Sequence, residues 1–163
     1  MKDQISEATE RETSHYIANL AFEQIKRLDA ALDAIDAKSG VLLGFTALLI
    51  AFALGSGPAD SSSPADLFFT YSGTGALLAS IVINILGIIP RGMRYDPNIK
   101  TLVDKYWDQE LPKILATISA NLAEVWETNG RILDLKSKHL RWALWLVLAG
   151  LSLLTIDVFV VRP

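Results

Sequence analysis

Residues Gly40–Gly55 read GVLLGFTALLIAFALG, a run without a single charged side chain. At about 1.5 Å per residue the run is short for a hydrocarbon core of roughly 30 Å. Extension through Lys38 and Ser39 and on to residue 57 lengthens it, because a lysine stem can lie along apolar surface while its ammonium reaches water. The first span is therefore placed at 38–57. A second run, Leu67–Ile89, closes at Pro90-Arg91. There proline disfavours helix at the residue before it and arginine anchors a membrane surface, so the second span is 67–90. The third run is Trp142–Val161, placed at 142–161. Its one acid, Asp157, falls far from Arg141, near the opposite interface, where a charge costs little compared with the bilayer centre.

The charges outside these runs set an orientation. Fourteen of the fifteen Lys and Arg residues lie in two blocks, 2–38 and 91–141, and none lies in the Pro-, Gly- and Ser-rich loop Gly55–Asp66. Short loops rich in Lys and Arg stay cytoplasmic and those without them cross. The N-terminus is expected inside, and the loop 58–66 and the C-terminus outside. Trp142 and Trp145 at one surface, and Phe68, Phe69 and Tyr71 at the other, suit interfacial belts. A soluble bundle would have to bury three near-continuous apolar helices within 163 residues, which chains of this size rarely do.

Composition excludes some functions. With no cysteine, disulfides and thiolate metal sites are ruled out. The net charge of −3 does not suit a nucleic-acid binder. The first 35 residues mix acids and bases and so do not read as a signal peptide.

Two polar regions read as long helices. Segment 1–37 is free of proline and glycine, and Ala18, Ala21, Ile25, Leu28, Leu32 and Ile35 recur at spacings of three and four. Segment 91–141 repeats the pattern at Leu111, Leu115, Ile118, Leu122, Val125, Asn129 and Ile132. These are heptad-like seams. In the second, a helix is expected to start near Asp96–Asn98, to break at Leu111 before Pro112, and to resume into the third span, with Asp108 or Glu110 near the new N-terminus. Tyr106 and Trp107 add bulk near the break. Each stripe needs a partner. The simplest pairing joins the two helices antiparallel below the membrane as a stalk continuous with spans one and three; pairing between subunits is the alternative. The expected fold is thus a single all-α membrane domain, with three transmembrane helices and two long cytoplasmic helices.

No catalytic or metal site emerges. His15 and His139 lack helical ligand spacing with other donors, and Ser72-Gly73-Thr74-Gly75 lacks the lysine of a phosphate loop. Small residues there suit close helix packing. Asn84 is the clearest polar group within a span; it either fixes packing or an oligomer, the commoner use, or lines a pore. Gly40 and Gly44 form a short small-xxx-small pair. Asn129 on the second seam either sets register or oligomer state or faces solvent at the stripe's edge. Asp29, Asp33 and Asp36 are either a gating patch at the membrane surface or, as such strips more often are, a solvated helix face. Together with Lys38, Arg91 and Arg131 they and Asn129 are the juxtamembrane gating candidates.

Three features carry a resemblance: Asp36-Ala37-Lys38-Ser39-Gly40 leading into span one, Pro90-Arg91 closing span two, and Asn129-Gly130-Arg131-Ile132-Leu133 followed by Lys136, Lys138 and Arg141 before span three. From about residue 20 to 160 the chain resembles the small membrane effectors of bacterial anti-phage defence, the Pycsar effectors and the related SLATT group. The resemblance implies a non-enzymatic, homo-oligomeric effector, without a resident cofactor, that impairs the inner membrane and stops growth before phage are released (abortive infection). It would be switched on by a cyclic nucleotide from a cognate cyclase. The chain departs from some relatives in lacking a strand-rich nucleotide-binding segment, so either the helical cytoplasmic part takes the ligand or a partner protein senses it. The competing reading is a non-toxic membrane anchor that docks a soluble partner through its cytoplasmic helices.

Overall fold

The structure is a computed structural model that describes residues 2–55, 63–89 and 110–161. Its secondary structure there is all helical: α1 at Lys2–Gly55, α2 at Pro64–Ile88, α3 at Leu111–Ile156, and a π-helical turn at Asp157–Val161. Each of the three helices is long and apolar enough to cross a membrane. The expectations placed on loop residues 56–62 and on 90–109, including Arg91, Tyr106, Trp107 and Asp108, lie outside the described residues.

Local chemistry accounts for the helix ends. α1 has no proline, and its first glycine is Gly40. α2 starts at Pro64, three residues before the apolar run at Leu67, so the expected loop gives up its last residues to the helix. The cause is the N-cap: the Ser63 hydroxyl accepts from the Asp66 backbone N–H at 3.2 Å, and Pro64 occupies the first turn, where its missing donor costs nothing. The helix stops at Ile88; Ile89 turns to extended backbone (ψ 125°) ahead of Pro90. α3 begins at Leu111 with Pro112 in its first turn, where a restart was expected. The Glu110 carbonyl accepts from the amides of Lys113 and Ile114 at 3.0 and 3.2 Å.

The chain divides into two compact units. The first comprises Met1–Leu32 and Arg91–Leu133, the second Asp33–Pro90 and Asp134–Pro163. In the first unit α1 packs on α3. Ile25 clusters with Leu122 and Val125, and Leu28 and Leu32 with Ile132. Position rises along both helices together, so they run parallel. This corrects the antiparallel expectation. Antiparallel pairing suits two helices joined by one reversal; here α2 adds a second reversal, and α1 and α3 point the same way. Each fully buried Leu or Ile in this seam contributes roughly 1.5–3 kcal/mol.

In the second unit α2 packs antiparallel on α3: Thr70 meets Asp157, Gly73 meets Gly150, Ser80 meets Ala143 and Gly87 meets His139. The distribution of side chains is the inverse of a water-soluble core. The buried positions of α2 are Asp66, Gly73, Leu77, Ser80, Asn84 and Gly87. The outward ones include Val41, Phe45, Leu48 and Phe52 on α1, Leu78 and Val82 on α2, and Leu144 and Leu148 on α3. Small and polar groups inside with large apolar groups outside is how helices pack in lipid, where burial of apolar surface brings no gain and close backbone approach does.

Candidate functional site: a polar seam

Most of the buried positions follow one spacing. On α1, Ala18, Ile25, Leu32, Ser39 and Thr46 are buried, each seven residues from the last. On α3 the same spacing runs through Leu122, Asn129, Lys136, Ala143, Gly150 and Asp157. On α2 it links Asp66, Gly73, Ser80 and Gly87, with Leu77 and Asn84 as a second set. A strict seven-residue repeat keeps one face of each helix turned to its partner. Its chemistry changes along the chain. In the first unit the seam is mostly aliphatic; in the second most of its positions are serine, threonine, asparagine, glycine or alanine.

Where the seam changes character it holds a charge. Lys136 is 2% exposed, and its Nζ donates to both carboxylate oxygens of Asp36 at 2.7 Å. Asp36 keeps 39% of its side chain exposed. A buried ammonium is tolerated only when paired and hydrogen-bonded, and the bidentate contact supplies both. Further along α1, the Ser39 carbonyl accepts from Asn84 Nδ2 at 2.9 Å. Asn84 is 1% exposed, and its Oδ1 has no hydrogen-bond partner among the described residues. Gly87, one turn on along α2, lies so close to α3 that an added Cβ would stand 3.0 Å from His139 Cβ. Asp36, Ser39, Asn84, Lys136 and His139 thus draw all three helices of the second unit together.

Two more polar contacts lie farther along. Ser80 donates to the Ala143 carbonyl at 2.8 Å, and the Thr70 hydroxyl donates to Asp157 Oδ2 at 2.8 Å. Asp157 is buried, at 3% exposure, against α2. It packs between helices and is held by hydrogen bonding.

The other expected site residues scatter. Asp29 and Asp33 are exposed on α1, away from the seam that Asp36 joins. Asn129 is buried in the seam of the first unit rather than at a solvent edge. Arg131 is exposed and pairs with Glu127 on its own helix. Lys38 is exposed. Gly40 and Gly44 have no atom within 4 Å of an added Cβ, so the pair meets nothing in its own chain; the close approaches belong to Gly73, Gly87 and Gly150. Lys136, Ser39, Gly150 and Asp157 were not singled out as site residues from the sequence, yet the seven-residue spacing, extended from Leu122 into the third span, finds each α3 member. Among the described residues no three His, Asp or Glu groups are placed to hold a metal. The arrangement holds three helices in one register, with a charge pair and amide contacts as its keys.

A family model described as the Pycsar effector protein domain, PycTM, matches residues 20–162. It covers both seams from Ala21 onward and the apolar stretch of each of the three helices. No curated protein and no solved structure matches. The match takes in the seam, Asn84 and the Asp36–Lys136 pair, and with it the chain belongs to the Pycsar effectors, a family of anti-phage membrane proteins.

Proposed function

We propose that the chain is the membrane-perturbing effector of a Pycsar-like system, a homo-oligomer of the inner membrane that a nucleotide signal or a partner protein switches on. The observation that carries this reading is the inverted seam of the second unit, small and polar groups inside and large apolar groups outside, in helices that also build the aliphatic seam of the first unit. α1 and α3 each supply both seams without a break in the helix. A change in how α1 meets α3 in one seam therefore has a covalent, helical route to the other. The Asp36–Lys136 pair in the second unit and Asn129 within the aliphatic seam of the first are the polar positions where two packings would differ most in energy. The abortive outcome follows if the second packing lets ions through.

A groove of the first unit matches a partner protein better than a free nucleotide. This groove, of about 240 Å³, is lined by Ile17, Leu20, Ala21, Gln24, Leu122 and Trp126, among others, and contains no Lys or Arg for a phosphate. Such a surface suits an apolar helix face rather than a phosphate.

Two measurements test the reading. Induced expression together with the cognate trigger should collapse membrane potential, read with a potential-sensitive dye, and should arrest growth. Unchanged potential and normal growth would favour the non-toxic anchor instead. Orientation is checked separately, using the absence of native cysteine. In intact cells a membrane-impermeant maleimide should label Ser62→Cys but should reach Lys26→Cys only after permeabilisation; the opposite pattern would invert the topology.

A further inference from the structure

The second unit carries a groove of about 310 Å³ between α1 and α3, lined by Lys38, Val41, Leu42, Phe45, Leu140 and Leu144. Lys38 is the only polar side chain among the described residues that line it. From Lys38 to Phe45 the α1 wall runs about 10 Å along the helix. The groove is therefore apolar along its length and cationic at one end. Most of the other cations near the seams are already engaged: Lys136 holds Asp36, Lys138 holds Asp134, Arg131 holds Glu127 and Arg27 holds Glu23. Lys38 makes no ion pair among the described residues. Its neighbours one turn away on either side are Ala34, Ile35, Val41 and Leu42, so its own helix offers it no acid.

We infer that this groove is a binding site for one anionic phospholipid, with the acyl chain along Val41, Phe45, Leu140 and Leu144 and the headgroup phosphate on the Lys38 ammonium. Charge complementarity selects the occupant. A second apolar helix would leave Lys38 against hydrocarbon without a counter-charge, and a zwitterionic lipid brings its own cation to compete. A net-negative headgroup satisfies the ammonium while its chain fills the groove. The inference rests on the membrane reading but not on which way the chain is inserted.

The test uses the full chain in nanodiscs of phosphatidylcholine mixed with phosphatidylglycerol, both leaflets alike, so that orientation plays no part. After transfer to mild detergent, native mass spectrometry counts the lipids retained. Phosphatidylglycerol should be kept over phosphatidylcholine by about fivefold, the preference expected of one well-placed cation. Lys38→Gln should bring the two lipids to parity, whereas Lys26→Gln should change nothing. Leu144→Trp, which fills the groove and leaves Lys38 in place, should lose retention of both lipids; circular dichroism establishes that the variant is still helical. Parity in the wild-type chain would mean annular lipid only and would overturn the site. So would an undiminished preference in Lys38→Gln or in Leu144→Trp, or displacement of the lipid by soluble glycerol phosphate, which would mark a plain anion site.

Discussion

Asp36→Ala is expected to destabilise the chain by about 3 kcal/mol, because it leaves the Lys136 ammonium buried without a counter-charge. The two partners are not equivalent. Lys136 is 2% exposed and Asp36 39%, so each loss has a different consequence. Without Asp36, the ammonium must either stay desolvated or pull its stem out of the seam. Without the ammonium, as in Lys136→Met, the Asp36 carboxylate is near enough to water to rehydrate, and the methionine keeps most of the packed stem. Lys136→Met should therefore be close to neutral, and Asp36→Ala/Lys136→Met should recover most of what Asp36→Ala loses. For a chain of this length 3 kcal/mol corresponds to a Tm lowered by roughly 6–12 °C, followed by circular dichroism in detergent. Equal losses in the two single variants would sink this account, since the cost would then belong to the pair and not to an uncompensated charge.

Gly150→Leu should be at least as damaging, about 3 kcal/mol or more, by a different route. A Cβ on Gly150 would stand 2.9 Å from the Gly73 carbonyl oxygen and 2.9 Å from Leu77 Cγ. The first of these is backbone and cannot step aside, so α2 and α3 must separate along this stretch. Separation would also stretch the Ser80–Ala143 and Thr70–Asp157 hydrogen bonds on either side. Gly75→Leu and Gly44→Leu are the controls, because nothing lies within 4 Å of a Cβ at either position. Both should stay within about 0.5 kcal/mol of wild type. If Gly150→Leu melts where Gly75→Leu does, α2 and α3 do not approach as described. Gly44→Leu has a second use: loss of an oligomer with Tm unchanged would place the Gly40–Gly44 face between copies of the chain.

Particular residues show how far the sequence reached. The apolar runs at Gly40, Leu67 and Trp142 each became part of a helix, because hydropathy over some twenty residues is a local quantity and needs no knowledge of partners. The break at Leu111-Pro112 was legible for the same reason, since proline acts on its own turn. Among site residues the reading was uneven. Asn84 stood out as a polar group in an apolar run, and the structure ties it to Ser39. Gly73 was read as a packing residue and is one, against Gly150. Gly40 and Gly44 carried the better-known spacing and yet meet nothing in their own chain, because a motif of two small residues does not say which face is turned inward. Asp36 appeared as one of three acids in a strip; only its position relative to Lys136 separates it from Asp29 and Asp33. Lys136 was passed over because a lysine near a span reads as a surface anchor, and exposure is the common fate of lysine.

What the sequence determined by itself was the set of helices, their capacity to cross a membrane and, in the polar parts of α1 and α3, which face carries the apolar seam. These depend on residues within a turn or two of one another. The tertiary structure decided the rest: that α1 and α3 run parallel, that Lys136 finds Asp36, that Gly150 lies on Gly73, and that Asp157 is held by Thr70. Those pairings join positions 77 to 100 residues apart. A repeat of seven names a face but carries neither the partner nor the direction of pairing. Both come from the two reversals of the chain around α2, which bring the distant faces together and set Asp36 against the buried Lys136.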